Sequence, residues 1–387
     1  MVADGVFDAI ARVWCDLKNL AIVCRRVEGM SGAVRLILAQ ARAAVESGWS
    51  VSIFAERLDD VAIRAVGATP HRVWRWPWGS WTKRRVFAAL AGRCARPFAV
   101  VHGHGDLLEQ DLLSLHNCVH AAREAASGEP LPPSDAVGRM HSVQLNERRF
   151  RLLAANSGLM KADLERRFAI PSEMIEIIYP GFDESRFRFS DRISTGARVR
   201  GELGLGIDQP LFGLVTSGDF EKRGVPLFLR AFSTVARMIP TARALIVGKE
   251  TRLGPYRALC AELEITEQVS FRAPRSDVEA YYHALDVYVH AARWEEFGMT
   301  VLEALACGVP VVCAQTVGAA ELLSGEARDF VLSDMSREAL STAMLQLARD
   351  PSRRLRLSMH GPTLAAAFTL TAHGRRFVSL YERLLKK

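Results

Sequence analysis

The sequence predicts an α/β protein made of two Rossmann-like, doubly wound domains facing each other across a cleft. Three observations carry this reading. A length of 387 residues exceeds what one compact core usually holds. Short β-rich runs alternate with amphipathic helical patterns, the rhythm of a mostly parallel sheet covered by helices. That rhythm is interrupted near residue 180 and then starts again.

In the first half, "LAIVCRR" (20–26) reads as a strand, and "GAVRLILAQARAAVES" (32–47) as an amphipathic helix closed by Gly48. Residues 50–56, 98–104, 111–116 and 151–157 read as further strands, and "ASGEPLPPSDA" (126–136) as a turn-rich loop. The stretch 177–210 mixes Pro, Gly and charge and reads as a linker. Beyond it, strands are expected at 211–217, 243–249, 269–273, 286–291 and 309–314, with helical patterns from Arg337 to Lys387. The expected domains are 1–180 and 181–370. The helix 371–387 would pack back on the first domain. In open sheets of this type ligands bind beyond the carboxyl ends of the strands.

Composition narrows the function classes. A hydrophobic content of 49% with 24% charged residues is ordinary for a globular protein. No apolar run reaches the ~18 residues that a membrane-spanning helix requires. The stretch "MVADGVFDAIARVWCDL" has acids where a secretory leader would want bases, so export is not expected. Seven scattered cysteines without a CxxC pair argue against both a disulfide scaffold and a cysteine-rich zinc site.

The net charge of +7 is unevenly spread, since residues 61–105 hold eight Lys and Arg and no acid. Within them, "HRVWRWPWGSWTKRR" (71–85) gathers Trp74, Trp76, Trp78 and Trp81 with Arg72, Arg75, Lys83, Arg84 and Arg85, ahead of a helix expected near Thr82. Rings with bases are the composition of an interfacial anchor, and the surplus charge suits phosphates or anionic lipid. The period-2 spacing of Trp74, Trp76 and Trp78 places them in one row on an extended segment. The alternative is that two or three of the rings pack beneath the loop. Binding of nucleic acid is not expected.

The stretch "HAARWEEFGMTVLEALACGVPVVCA" (290–314) holds the densest chemistry. A strand ends near His290, a loop holds Glu295, Glu296 and Gly298, and a helix begins around Met299 or Thr300 and stops at Gly308, with Pro310 just beyond. Free amides at that helix start suit a diphosphate. Glu295 and Glu303 would flank it, each facing sugar hydroxyls. The alternative reading is a loop-capping glutamate and a solvated helix glutamate.

This string resembles the E-x7-E signature of glycosyltransferase family 4, retaining enzymes of the GT-B fold. The resemblance implies that Glu295 contacts the donor sugar, that Glu303 holds the ribose hydroxyls, and that the amides of Gly298, Met299 and Thr300 bind diphosphate. "EGMSGAVRLI" (28–37) looks like the family's glycine loop, with Ser31 and Gly32 near the donor. "TSGDFEKRGVPLFLRAF" (216–232) resembles the start of the nucleotide domain, where Arg223 or Lys222 would meet the diphosphate. An arginine usual a few residues earlier is replaced by Ser217 and Gly218. "YPGFDESRF" (179–187) is similar to the family's hinge.

His102, His104, Asp106, His116 and His120 lie close in sequence. The spacing permits zinc, a structural role, or a ligand-facing role at strand ends. His116 also resembles the family histidine that reaches the donor sugar, and His290 would hold the loop of Glu295. No DxD motif occurs, so no metal or other cofactor is expected.

The implied activity is a metal-independent, retaining transfer of a hexose from a nucleotide-diphosphate-sugar, a UDP-sugar, to a membrane-presented acceptor. The bacterial lipopolysaccharide-core glucosyltransferases are the nearest resemblance. They imply a glycolipid or lipopolysaccharide-type acceptor, an anionic membrane surface as partner, and a cytoplasmic enzyme on the inner membrane face. Arg75, Trp76, Trp78, Trp81, Lys83, Arg84 and Arg85 would form that surface. The alternatives are a nucleotide-sugar epimerase or hydrolase of the same fold, and a non-catalytic subunit that binds sugar nucleotides.

Overall fold

The computed structural model describes residues 18–29 and 31–386. The "MVADGVFDAIARVWCDL" stretch up to Asp16 and Leu17, and Met30 of the expected glycine loop, lie outside the described residues. The chain forms two units, one of the residues up to Gly181 together with those from Leu370, the other of Phe182–Thr369.

The first unit is built on strands β1 (Asn19–Val23), β2 (Arg26–Val27), β3 (Ser50–Ala55), β4 (Arg57–Leu58), β5 (Thr69–Arg72), β6 (Val100–Gly103), β7 (Leu112–Ser114), β8 (Leu152–Ala155) and β9 (Ile175–Ile177). Seven of them form one parallel sheet in the order β5-β3-β1-β6-β7-β8-β9, and β2 pairs with β4 beside it. Every residue of β1 is buried, as expected for a central strand covered on both faces. The helix Gly32–Glu46 is closed onto the C-terminal helix Leu370–Leu385 by small residues: a Cβ on Gly374 would lie 2.7 Å from Ala43 Cβ and 2.8 Å from Ala39 O. From that C-terminal helix, Phe377, Leu380, Tyr381 and Leu384 enter the same core as Leu20, Ile22 and Ile37.

The second unit carries β10 (Leu211–Val215), β11 (Arg243–Val247), β12 (Val269–Arg272), β13 (Val287–His290), β14 (Val311–Ala314) and β15 (Val331–Leu332). They form a six-stranded parallel sheet in the order β12-β11-β10-β13-β14-β15.

Two expectations are corrected. Most of the stretch read as a linker is folded, with a helix over Arg192–Glu202 packed on Glu279–Ala284. Two of its arginines turn inward: Arg192 donates to Leu285 O at 2.7 Å, and Arg200 to Ala284 O at 3.0 Å and Asp286 at 3.2 Å. Gly196 lets the helix close in, because a Cβ there would lie 2.4 Å from His283 O. The edge strand β5 was not anticipated. Its residues, TPHR, are mostly exposed, and it is held by backbone pairing to β3.

Candidate functional site

In the second unit the chain leaves β13 through a loop that ends at Gly298 and enters the helix Met299–Ala306. Gly298 has φ 92°, which an L side chain rarely adopts, and a Cβ there would lie 2.9 Å from Val317 Cγ1. The loop is pinned by Glu295 N–H donating to Thr316 O at 3.1 Å and Gly318 N–H to Glu295 O at 3.0 Å. The helix ends at Ala306 with Cys307 as its C-cap, and Gly308 takes φ 68°.

Glu295 Oε2 lies 2.6 Å from His290 Nε2 and also pairs with Arg223 Nη1. Burial alone would raise this carboxyl, but His290 and Arg223 outweigh it and bring it down to about 2. His290 Nδ1 in turn lies 3.1 Å from Tyr288 Oη, which donates to Thr300 Oγ1 at 2.7 Å. Arg223 reaches Glu295 because Gly224, at φ 73°, packs directly on the chain after β13: a Cβ there would clash with Ala291 O at 2.0 Å. Lys222 is exposed, with its N–H capped by Asp219 at 3.1 Å. Glu303 is buried within the helix and accepts from Tyr282 Oη at 2.9 Å. The structure thus brings together His290, Glu295, Gly298, Met299, Thr300 and Glu303 on one strand end, its loop and its helix, and Arg223 reaches them from just ahead of the helix Val225–Met238. Tyr282 and Tyr288, which back the two glutamates, were missed by sequence reasoning.

In the first unit Ser31 is the exposed N-cap of Gly32–Glu46, accepting from Val34 N–H at 3.3 Å. The left-handed glycine of that loop is Gly29, at φ 77°, and not Gly32. The histidines separate. His102 is a core residue, not a crevice residue, bonded to Tyr381 Oη at 2.9 Å and Ser114 Oγ at 2.8 Å. His104 Nδ1 lies 2.8 Å from His116 Nε2, and burial lowers His116 to about 4. His120 points elsewhere, toward Gly138 O and Ser142. Among the described residues, no group of three or more His, Cys, Asp or Glu is arranged to hold a metal ion.

Beside His104 lies a charged cluster that the sequence did not reveal as a unit. Asp106 accepts from Arg25 N–H at 3.0 Å and from Arg84 Nη1 at 3.0 Å, while Arg25 Nη2 donates to Glu56 at 2.8 Å. Arg84 therefore turns inward and is not part of an exposed basic surface, because desolvated Asp106 needs its charge.

The tryptophan segment leaves β5 and runs to the helix Ser80–Ala95. Trp74 and Trp78 are 59% and 70% exposed. Trp76 lies edge-to-face with both, at centroid separations of 5.6 and 5.8 Å. Trp81 differs, since Arg139 stacks on it at 4.2 Å and Arg85 at 5.8 Å. Among the described residues, no helix is long and apolar enough to cross a membrane.

Two parallel-sheet Rossmann-like units of this kind define the GT-B glycosyltransferase fold. The chain superimposes on WaaG, a glycosyltransferase involved in lipopolysaccharide biosynthesis, with a TM-score of 0.78 over 93% of this chain and 99% of that one, at 18% identity. Residues 30–186 match the family described as Glycosyltransferase Family 4, and residues 204–363 the family described as Glycosyl transferases group 1. The chain thus carries a Glycosyltransferase Family 4 domain followed by a Glycosyl transferases group 1 domain. Among similar proteins is the GDP-mannose-dependent alpha-(1-6)-phosphatidylinositol monomannoside mannosyltransferase of Mycolicibacterium smegmatis, 30% identical over 200 residues. That match covers 49% of this chain and spans only about half, 51%, of the relative's length. The lipopolysaccharide core biosynthesis mannosyltransferase LpsB of Rhizobium meliloti is 26% identical, over 62% of this chain and 67% of its own.

Proposed function

We propose that the chain is a retaining, metal-independent hexosyltransferase that moves a sugar from a UDP-sugar to a membrane-presented acceptor of lipopolysaccharide-core type. The observation that carries this reading is Glu295, held ionised by His290 and Arg223 next to the start of the helix Met299–Ala306. An incoming diphosphate would take the amides of Gly298, Met299 and Thr300 and the Arg223 guanidinium, with Lys222 as the alternative cation. Recruiting Arg223 would free Glu295 for the hydroxyls of the sugar. Glu303 would hold the ribose hydroxyls, with Tyr282 fixing its carboxylate. Catalysis would then consist of positioning and of stabilising the departing diphosphate. Residues 181–370 would serve the donor and residues 1–180 the acceptor, with Ser31, Gly32 and His116 turned toward the donor sugar.

The names of the two relatives, one acting on phosphatidylinositol monomannoside and one in lipopolysaccharide core biosynthesis, support a lipid-borne acceptor. Trp74, Trp76 and Trp78, with Arg75, Lys83 and Arg85, would dock the enzyme on the inner face of an anionic membrane. Each base near such a surface contributes about 1 kcal/mol. Trp81 and Arg84 would serve this surface only by shaping it.

A thermal-shift panel of UDP-, GDP- and ADP-sugars tests the donor, because a ligand at about 100 times its Kd stabilises by about 2.7 kcal/mol. The UDP-sugar that shifts the protein is then expected to yield an α-glycoside, read by NMR, in excess EDTA. Inversion of the anomer, or loss of turnover restored by manganese, would contradict the reading.

A further inference from the structure

A cavity of about 1190 Å³ opens on the first unit between the helix Ser80–Ala95 and the loops that lead into β7 and β8. Its lining includes Asp111, just ahead of β7, and Arg151, just ahead of β8. It therefore sits at the amino ends of those strands, opposite to the ends that carry Asp106 and His116. The volume exceeds the ~300–1,000 Å³ usual for a small-molecule site. Val86, Ala89, Gly92, Phe98 and Phe150 give it an apolar wall.

Charge and polarity mark it as more than a packing gap. Arg85, Arg93 and Arg96 line it, and none of the three forms an ion pair among the described residues. Their spacing of eight and three residues along one helix brings them to one face. Gln110 also lines the cavity while only 7% exposed, and both its side-chain amide atoms lack a hydrogen-bond partner among the described residues. The amide packs against Gly103, and a buried amide left unpaired is destabilising, a cost that a ligand reaching it would remove. Arg85 links the cavity to the tryptophan segment through its stack over Trp81.

We propose that this cavity takes one anionic phospholipid, its phosphate among Arg93, Arg96 and Arg85, its ester oxygens near Gln110 and its chain on the apolar wall. The source of the lipid rests on the reading that the tryptophan segment faces a membrane, whereas the site itself does not depend on the donor chemistry.

The test uses the full chain and short-chain, monomeric dihexanoyl phosphatidylglycerol in titration calorimetry. Saturable binding is expected. Arg93→Glu with Arg96→Glu should weaken it at least tenfold, and Ala89→Trp, at an exposed position that fills the cavity, should remove it. Trp76→Ser with Trp78→Ser should leave it unchanged, which separates the cavity from adsorption to a bilayer. Dihexanoyl phosphatidylcholine binding as tightly, glycerol phosphate or inorganic phosphate binding as tightly, or indifference to the charge reversal would each overturn the proposal. UDP-sugar binding by the same variants, measured in parallel, reads the transferase proposal separately.

Discussion

At the strand ends of the first unit, Asp106 sits 3.0 Å from Arg84, and its carboxyl is nevertheless raised, because burial outweighs the Arg25 N–H and both arginines. At the strand ends of the second, Glu295 is partly buried, yet His290 and Arg223 overcome its desolvation and bring it to about 2. Both carboxylates share an arginine and differ in what wins. Asp106 works as a bracket that ties β1, the helix Ser80–Ala95 and the chain after β6, at a desolvation cost. Glu295 is a stable anion whose cationic partner is on a loop beside a helix start, where an anionic ligand can compete for it. A buried ion pair thus marks a site only when its charge is both secured and exchangeable.

The largest effect is expected in the bracket. Asp106→Ala leaves the largely covered Arg84 without its counter-charge and should cost about 3 kcal/mol in urea unfolding. The double change Arg84→Met with Asp106→Leu should recover most of that loss. A double variant as unstable as the single one would show that the pair is not what the region needs. Next comes Glu303→Ala, expected to weaken UDP binding by about 2–4 kcal/mol through lost charge-assisted bonds to the ribose. Unchanged UDP affinity in calorimetry would remove Glu303 from the site.

Acid should separate the units. Burial holds His116 and His373 down to about 4 and His141 to about 3, all in the first unit. Such histidines bind fewer protons folded than unfolded, so their stability is lost as pH falls from about 6.5 toward those values. Glu295, lowered from 4.5 to about 2, contributes stability above 4.5 and loses it only as pH falls through that lower window. Hydrogen exchange at pH 5 should therefore rise first in the first unit, and earlier loss in the second would break the comparison. The smallest stability effect belongs to Trp76→Ser with Trp78→Ser, about 1 kcal/mol, because Trp78 is exposed while Trp76 is half-buried and meets two rings edge-to-face. Binding to anionic vesicles should nonetheless fall, and it should weaken in wild type at 1 M salt, where screening shortens to about 3 Å. A double variant that unfolds would show the rings to be core.

The same contrast explains what could be read in advance. The β-α alternation and the helix between Gly298 and Gly308 were legible because each depends on local pattern. Glu295 and Glu303 were legible as a pair because one loop and one helix carry both. Arg223 could be seen beside Gly224, but its contact with Glu295 depends on Gly224 packing on Ala291, which no local pattern records. The Arg25, Glu56, Arg84 and Asp106 cluster comes from separate strand ends and a helix, so only sheet register brings it together. His102 illustrates the same limit, since its partner Tyr381 arrives from the C-terminal helix. The helix Arg192–Glu202 was hidden by Arg192 and Arg200, which look solvated in sequence and instead bind carbonyls.

The central claim is that Glu295 serves the sugar while the helix start and Arg223 serve the diphosphate. Calorimetry of UDP and of the accepted UDP-sugar on Glu295→Gln, with turnover measured alongside, tests it most directly. UDP affinity is expected to stay within a few-fold of wild type or rise as Arg223 is released, with turnover down about 10²–10³-fold. Equal loss of affinity for UDP and the UDP-sugar, or turnover near that of wild type, would contradict the account.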